Sequence, residues 1–398
     1  MTTPADTALL RLTLARACAW GLLVAGWIGI GSFALQFAPT VSSGFALVAL
    51  WLLALGAAAV VNTRGGMRRW TRALVLCLAA VITAGSLLAT GRGGNVPTLV
   101  LAILGWASMT ALASGVVRSL RVVQTAVPAP PIAAATLGAL CAGLMLGDIG
   151  DLPELALRLA AFVAVTTCVL VLLQRGIEDP PRTPGCRAGL FDCSLPAWPA
   201  GAWRDTLQWP TLLAGLAMLP MMAALPLMAA WCRAEAIAPQ ATVLLHLAAM
   251  FGTPLVLRRS IARWSLRTLS MACTALLASG AALVVWATVP LDMIGLAVTH
   301  GAAWGVAWGG QLWAPARRGQ KGASPLLAAA GYALVTLGVG LVVEHTGARG
   351  LAAVHVALGL AAILAWLLSA VPVRWPGNAA GRKRVPSSAP PSHHGAGR

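Results

Sequence analysis

Four residues of one apolar segment have side chains suited to solute binding and proton transfer. His300, Trp304, Trp308 and Gln311 recur at spacings of four, four and three residues, so an α-helix would place them along one face. With an ordinary pKa near 6.5, an imidazole can take up and release a proton under mild conditions. Indole rings offer flat apolar surface and attract cations. The pattern predicts that these residues line a cavity for a flat or amphipathic organic solute, which could be a cation. The alternative is that they only pack against neighbouring helices.

A stripe of glycines runs beside these residues. Gly301, Gly305 and Gly309 recur at every fourth position, and this spacing predicts a close approach by a neighbouring helix, because no side chains separate the backbones. Another apolar segment carries His246, which like His300 lies nine residues from the start of its segment. That distance is about 13 Å along a helix, close to the middle of each segment. Both histidines are candidate proton-coupling residues. The alternative is that each stays neutral and hydrogen-bonds a neighbouring helix.

The chain that carries these segments is apolar over most of its length. Of its 398 residues 59% are hydrophobic and 10% are charged, and the mean hydropathy is +0.81. This composition is too apolar for a soluble domain, whereas a bilayer needs roughly 20 apolar residues for each spanning helix. We predict an all-α protein with twelve membrane spans. They lie near residues 14–37, 43–62, 72–90, 96–117, 131–147, 153–174, 210–232, 237–257, 267–288, 291–314, 323–343 and 350–372.

The basic residues fall on one side of these spans. Of the 28 lysines and arginines, 24 lie on the side of the two termini, and Arg92, Arg233 and Arg349 lie on the other. Because cytoplasmic loops retain Lys and Arg, both termini are predicted to be cytoplasmic. The excess of Arg over Lys, with abundant Ala and Gly, is typical of a bacterial inner-membrane protein. The net charge of +17 is explained by these loops and by their attraction to the lipid bilayer, so no nucleic-acid partner is predicted.

Residue patterns for enzymatic chemistry are not found in the sequence. It has no Ser/Lys or Asp pair at helical spacing and no phosphate-binding glycine-rich loop. Six of the eight cysteines lie in or at the ends of apolar segments, where cysteine acts as a small hydrophobe. We therefore predict neither an enzyme nor a cofactor or metal site, and ATP hydrolysis by the chain itself is not expected.

The chain divides into two halves of six spans. We predict an N-terminal half at 1–174, a cytoplasmic central loop at 175–209, a C-terminal half at 210–372 and a disordered cytoplasmic tail at 373–398. The loop after span two reads RGGMRRWTRAL, and the loop after span eight reads RRSIARWSLRTL. Such matched loops indicate an internal repeat, which is a common transporter plan. The candidate gating arginines of the two loops are Arg64, Arg68, Arg69, Arg258, Arg259 and Arg263.

This layout resembles the major facilitator superfamily, in its six-plus-six spans, its length and its Gly- and Arg-rich loop after span two. The usual loop signature of the family is Gly, an Asp-Arg pair and Gly-Arg-Arg; residues 62–69 keep the glycine and arginines but lack the acid. The resemblance implies a central cavity lined by spans one, four, seven and ten. Trp20, Trp27 and Trp106 on spans one and four are therefore further cavity candidates.

Two functions are compatible with these observations. The first is secondary active transport of a small organic, amphipathic solute by alternating access, with export favoured over uptake and a proton as the candidate coupling ion. The second is a transport-inactive protein of the same shape that acts as an assembly or delivery partner in the membrane. The missing loop acid and the absence of Asp and Glu from the middle of every predicted span favour the second.

Overall fold

The computed structural model describes residues 4–64, 68–123, 131–146, 151–175, 206–218, 222, 239–286, 291–313 and 325–370. These residues form twelve apolar helices, numbered α1 to α12 in chain order, and two one-turn helices at Thr206–Gln208 and Arg258–Ile261. The helices are α1 (Pro4–Phe37), α2 (Val41–Arg64), α3 (Arg69–Gly91), α4 (Val96–Val123), α5 (Pro131–Leu146), α6 (Leu152–Leu173), α7 (Trp209–Met218), α8 (Pro239–Val256), α9 (Leu266–Trp286), α10 (Leu291–Trp313), α11 (Pro325–Thr346) and α12 (Ala348–Ala370).

The helices match the predicted spans in number and order. The largest difference is at α1, which begins at Pro4 rather than near residue 14. The rest of predicted span seven lies outside the described residues, apart from Met222. Residues 176–205 of the central loop and 371–398 of the tail also lie outside them, so the domain boundaries stay a prediction.

Length and surface composition both identify a membrane protein. Eight of the described helices are long and apolar enough to cross a bilayer, and α5, α7 and α8 add shorter apolar tracts. Large apolar side chains lie exposed along single helix faces, as with Leu74, Leu78 and Val81 of α3. Exposing such contiguous apolar faces to water is unfavourable, whereas contact with lipid tails is not. The chain is a multi-pass membrane protein.

The two halves repeat one packing scheme. In the first half α4 contacts α2 and α3, and α6 contacts α3 and α5. In the second half α10 contacts α8 and α9, and α12 contacts α9 and α11, which are the same pairs displaced by six helices. Between the halves α2 packs on α11, and α5 packs on α8. A two-fold relation exchanges these two contacts, so the predicted pseudo-symmetric fold is confirmed.

Glycines bring α1 close to its neighbours. A Cβ atom on Gly138 of α5 would lie 2.0 Å from the backbone oxygen of Ala17, so this crossing is possible only without a side chain. On another face of α1, a Cβ on Gly26 would lie 2.4 Å from Nε1 of Trp106. Helix α1 is thereby held in the interior, where its residues can reach the second half.

Candidate solute-binding site

Four aromatic rings meet where the two halves join. Trp20 comes from α1 in the first half, and Phe251, Trp304 and Trp308 come from α8 and α10 in the second half. The ring centroids of Trp20 and Trp308 are 5.0 Å apart, and those of Trp20 and Phe251 are 5.4 Å apart. All four side chains are at most 4% exposed. We call these four residues the aromatic cluster.

The spacing of the α10 residues explains the geometry of the cluster. Trp304 and Trp308 are one turn apart and stack with centroids 5.1 Å apart and an interplanar angle of 27°. Trp20 and Phe251 approach Trp308 edge-on, at interplanar angles of 61° and 87°. Such stacked and edge-on pairs each contribute about 0.5–1.5 kcal/mol beyond their area burial. The cluster is therefore a cohesive contact between halves.

The glycine stripe of α10 makes the predicted close contact with a neighbouring helix, and that helix is α8. A Cβ on Gly301 would lie 2.6 Å from the backbone oxygen of His246, and a Cβ on Gly305 would lie 2.5 Å from that of Met250. A Cβ on Gly309 would lie 3.3 Å from Cβ of Pro254. Because the tryptophans are offset from this stripe by one residue, they point about 100° away from it. The close contact with α8 thus directs them towards α1.

His300 does not join the aromatic cluster. Its ring lies 4.6 Å, centroid to centroid, from that of His355 on α12, and a Cβ on Gly280 of α9 would lie 3.6 Å from its Nε2. His300 therefore faces α9 and α12. Both of its ring nitrogens are buried and have no hydrogen-bond partner among the described residues. Gln311, at the other end of the predicted stripe, is half-buried.

His355 was not among the predicted site residues. It is buried, and its Nδ1 lies 2.6 Å from the backbone oxygen of Leu351. Since a carbonyl oxygen only accepts, Nδ1 carries a proton and donates it to this oxygen. A single histidine on a helix has no periodic pattern, so the sequence contained no signal that paired it with His300.

His246 uses both ring nitrogens in contacts between helices. Its Nδ1–H donates to the backbone oxygen of Ala297 on α10 over 2.7 Å, and its Nε2 contacts Sδ of Met218 on α7 at 3.3 Å. The ring is buried. These contacts hold α7, α8 and α10 together, which matches the packing alternative for this residue.

The remaining candidate tryptophans, Trp27 and Trp106, lie apart from the aromatic cluster. The Nε1–H of Trp106 donates to the backbone oxygen of Leu22 over 2.7 Å, so this ring fastens α4 to α1. Trp27 packs against Trp51 of α2, with ring centroids 5.7 Å apart. Trp51, like Phe251, was not among the predicted site residues.

The candidate gating arginines lie mostly at the surface. Arg68, Arg259 and Arg263 are exposed, and nothing is described of the side chain of Arg64. The guanidinium carbon of Arg69 lies 5.1 Å from the centroid of its neighbour Trp70. That of Arg258 lies 5.6 Å from the centroid of Trp313, at the end of α10. The two loops thus share guanidinium–indole contacts, although the tryptophans involved differ.

Two of the arginines counted on the side of the two termini are buried among helices. Arg72 on α3 is 9% exposed and its Nη1 donates to Oγ of Ser119 on α4 over 2.6 Å. Arg16 is also buried, one turn before Trp20 on α1. Charge counting along loops could not find them, because burial depends on the neighbouring helices.

Comparison with known proteins supports a transporter architecture at the level of the fold. No protein-family profile matches the sequence, and no curated protein matches it. Among solved structures, a mutant form of the nucleoside transporter NupG aligns with a TM-score of 0.64 and 14% identity, covering 91% of this chain and 99% of that chain. A bacterial homologue of the human lysosomal transporter Spinster, in an inward-facing and occupied conformation, aligns with a TM-score of 0.58 and 13% identity, covering 93% of this chain and 98% of that chain.

These alignments and the repeated helix contacts define the class as a polytopic membrane protein with a two-half transporter fold. The chain has the fold of the major facilitator superfamily.

Proposed function

We propose that the chain is a secondary active transporter that moves a small organic, amphipathic solute across a bacterial inner membrane by alternating access, in the direction of export. The observation that carries the proposal is the aromatic cluster, since it joins α1 of one half to α8 and α10 of the other. In a protein whose halves rock about a midplane site, such a junction contacts solute and changes during transport.

The chemistry of the cluster favours a flat solute. Its walls are indole and phenyl rings, which stack on flat apolar groups and attract cations. Nε1 of Trp304 is buried and has no acceptor among the described residues, so a hydrogen-bond acceptor on the solute could fill that role. NupG is a nucleoside transporter, and a nucleoside also presents a flat ring with acceptors. Nucleosides therefore belong in a substrate screen beside amphipathic dyes and aromatic cations.

Flux into proteoliposomes tests the proposal. The purified chain should move at least one nucleoside, dye or aromatic cation faster than protein-free vesicles do, with saturation as the concentration rises. A complete absence of saturable flux over the whole panel, by protein that remains monodisperse, would reject transport. That result would favour the alternative function as an assembly or delivery partner.

A proton is the proposed coupling ion, with His300 as its binding residue. A pH gradient of one unit is worth about 1.4 kcal/mol, which corresponds to about tenfold solute accumulation if one proton is exchanged per solute. His300→Gln keeps a hydrogen-bonding side chain and removes the titration, so we expect it to abolish this accumulation. His246→Gln is the matched control, because the ring nitrogens of His246 already contact α10 and α7. Equal accumulation by wild type and His300→Gln contradicts the assignment.

The orientation of the chain gives a separate prediction. Because arginines concentrate on one side, reporter fusions after Gly150 and after Gly185 should lie outside and inside the cytoplasm, respectively. Alkaline phosphatase should be active only in the first fusion and green fluorescent protein only in the second. The same location for both fusions would reject the twelve-span topology.

A further inference from the structure

The predicted loops on one face of the membrane carry only three basic residues, Arg92, Arg233 and Arg349, and we call it the arginine-poor face. The two halves touch at this face. Helix α2 begins at this face and α11 ends there, and the two pack together. A Cβ on Gly340 of α11 would lie 2.5 Å from Cβ of Phe45 on α2, so the helices are in close contact. Glu344 follows Gly340 by one helical turn, which brings it to the start of α2.

The first turn of α2 has a backbone donor that its own helix does not satisfy. The first four N–H groups of a helix have no acceptor within it. Thr40, which directly precedes α2, forms a reciprocal cap with Ser43: the Thr40 N–H donates to Oγ of Ser43, and the Ser43 N–H donates to Oγ1 of Thr40. The Ser42 N–H donates instead to Oε2 of Glu344, over 2.7 Å. A residue of the second half thus completes a helix cap in the first half.

The chemistry of this contact suits a reversible connection. A carboxylate is stabilised at a helix N-terminus by the aligned peptide dipoles, and a hydrogen bond to a charged acceptor is stronger than one between neutral groups. Glu344 is nevertheless exposed, so water can replace the Ser42 N–H when the helices separate. The contact can stabilise one arrangement of the halves without making it permanent.

The second pair of interface helices, α5 and α8, is also in contact on this side of the membrane. A Cβ on Gly143, close to the end of α5, would lie 2.9 Å from Cδ2 of Leu244, in the first half of α8, and 3.1 Å from Cδ1 of Leu247, near the middle of α8. Both inter-half contacts therefore include residues in the half of the membrane next to the arginine-poor face. In alternating access, these ends must part before solute can pass through that face.

We propose that Glu344 is the latch of a gate on the arginine-poor face, and that it holds the gate closed by capping α2 from α11. The inference rests on the proposed alternating access. Removing the carboxylate destabilises only the closed arrangement, so it shifts the population towards opening at that face. The cap can form only where the start of α2 lies against the end of α11, which makes it specific to the closed state.

Distance measurements between spin labels test the latch. Labels at Arg92→Cys and Arg349→Cys, two exposed positions on the arginine-poor face in different halves, report their separation by double electron–electron resonance. The eight native cysteines are first replaced by alanine or serine. In Glu344→Ala we expect the ratio of the long-distance to the short-distance population to rise by on the order of tenfold, as for loss of a hydrogen bond to a charged group. Glu344→Gln, which keeps a neutral acceptor oxygen and the same size, should give a smaller rise.

The matched control is Glu154→Gln. Glu154 is an exposed acid on the same face, but its ion pair with Arg158 lies within α6 and joins no two halves. Its removal should leave the distance distribution unchanged. An unchanged distribution in Glu344→Gln and Glu344→Ala, or an equal shift in Glu154→Gln, would overturn the latch. The distances are measured without solute, so the two proposals can fail separately. If Glu344→Ala shifts the distances but the chain transports no solute, the latch is retained and transport is rejected. If the chain transports solute normally but Glu344→Ala shifts no distance, only the latch is rejected.

Discussion

Gly305→Leu is expected to prevent the second half from packing. A Cβ at position 305 would lie 2.5 Å from the backbone oxygen of Met250 and 2.8 Å from Cδ of Pro254. Pro254 lies inside α8 and has no N–H, so the Met250 oxygen lacks its usual helical donor and α10 fits directly against it. A backbone oxygen and a proline ring cannot rotate away. We expect a loss of about 3 kcal/mol or more, at the upper end of overpacking costs.

The yield of monodisperse protein and the midpoint of thermal unfolding in detergent measure this effect. Gly252→Leu is the matched control, because it lies on α8 in the same helix pair, yet a Cβ there would have no neighbour within 4 Å among the described residues. Gly305→Leu should aggregate or unfold far earlier than Gly252→Leu. Similar stability of the two variants would show that α10 and α8 are not in close contact at this position.

The helices were largely predictable from the sequence, and the reason is the membrane. Backbone groups in lipid must be satisfied within the segment, so an apolar stretch of sufficient length is a helix. The spacing of Gly301, Gly305 and Gly309 also predicted a close helix contact, although only the structure shows that the neighbour is α8. The predicted start of α1 was late because the polar residues before position 14 were counted as a loop.

The candidate site was less predictable, because it depends on contacts between distant helices. Residues four apart on a helix are offset by about 40°, so His300 and Trp308 diverge by about 80°. That divergence lets His300 face His355 while Trp308 faces Trp20. Phe251 joins the cluster from α8 and has no distinctive sequence pattern of its own. A stripe of residues on one helix therefore predicts only approximately which way their side chains point. It does not predict which residues of other helices they contact.

Trp304→Phe and Trp20→Phe are expected to reduce transport strongly while the fold is retained. Replacement of a buried tryptophan by alanine costs about 3–5 kcal/mol, which would confuse loss of binding with loss of folding. Phenylalanine keeps an aromatic ring, but it has less surface and no N–H donor. We expect solute flux to fall about tenfold in kcat/KM, since a loss of about 1.4 kcal/mol in interactions with the transported solute is a factor of ten.

The matched control is Trp286→Phe, because Trp286 ends α9 and is 83% exposed, away from the cluster. Its flux should equal that of wild type, and the unfolding midpoints of all three variants should remain close to wild type.

The cluster can act in two ways, and the kinetic constants separate them. If the cluster contacts solute, the substitutions change KM and the order of preference among solutes. If the cluster only joins α1 to α10, the substitutions change kcat equally for every solute. Unchanged flux in both cluster variants would show that the four rings are packing alone, and the solute would then have to bind elsewhere between the halves.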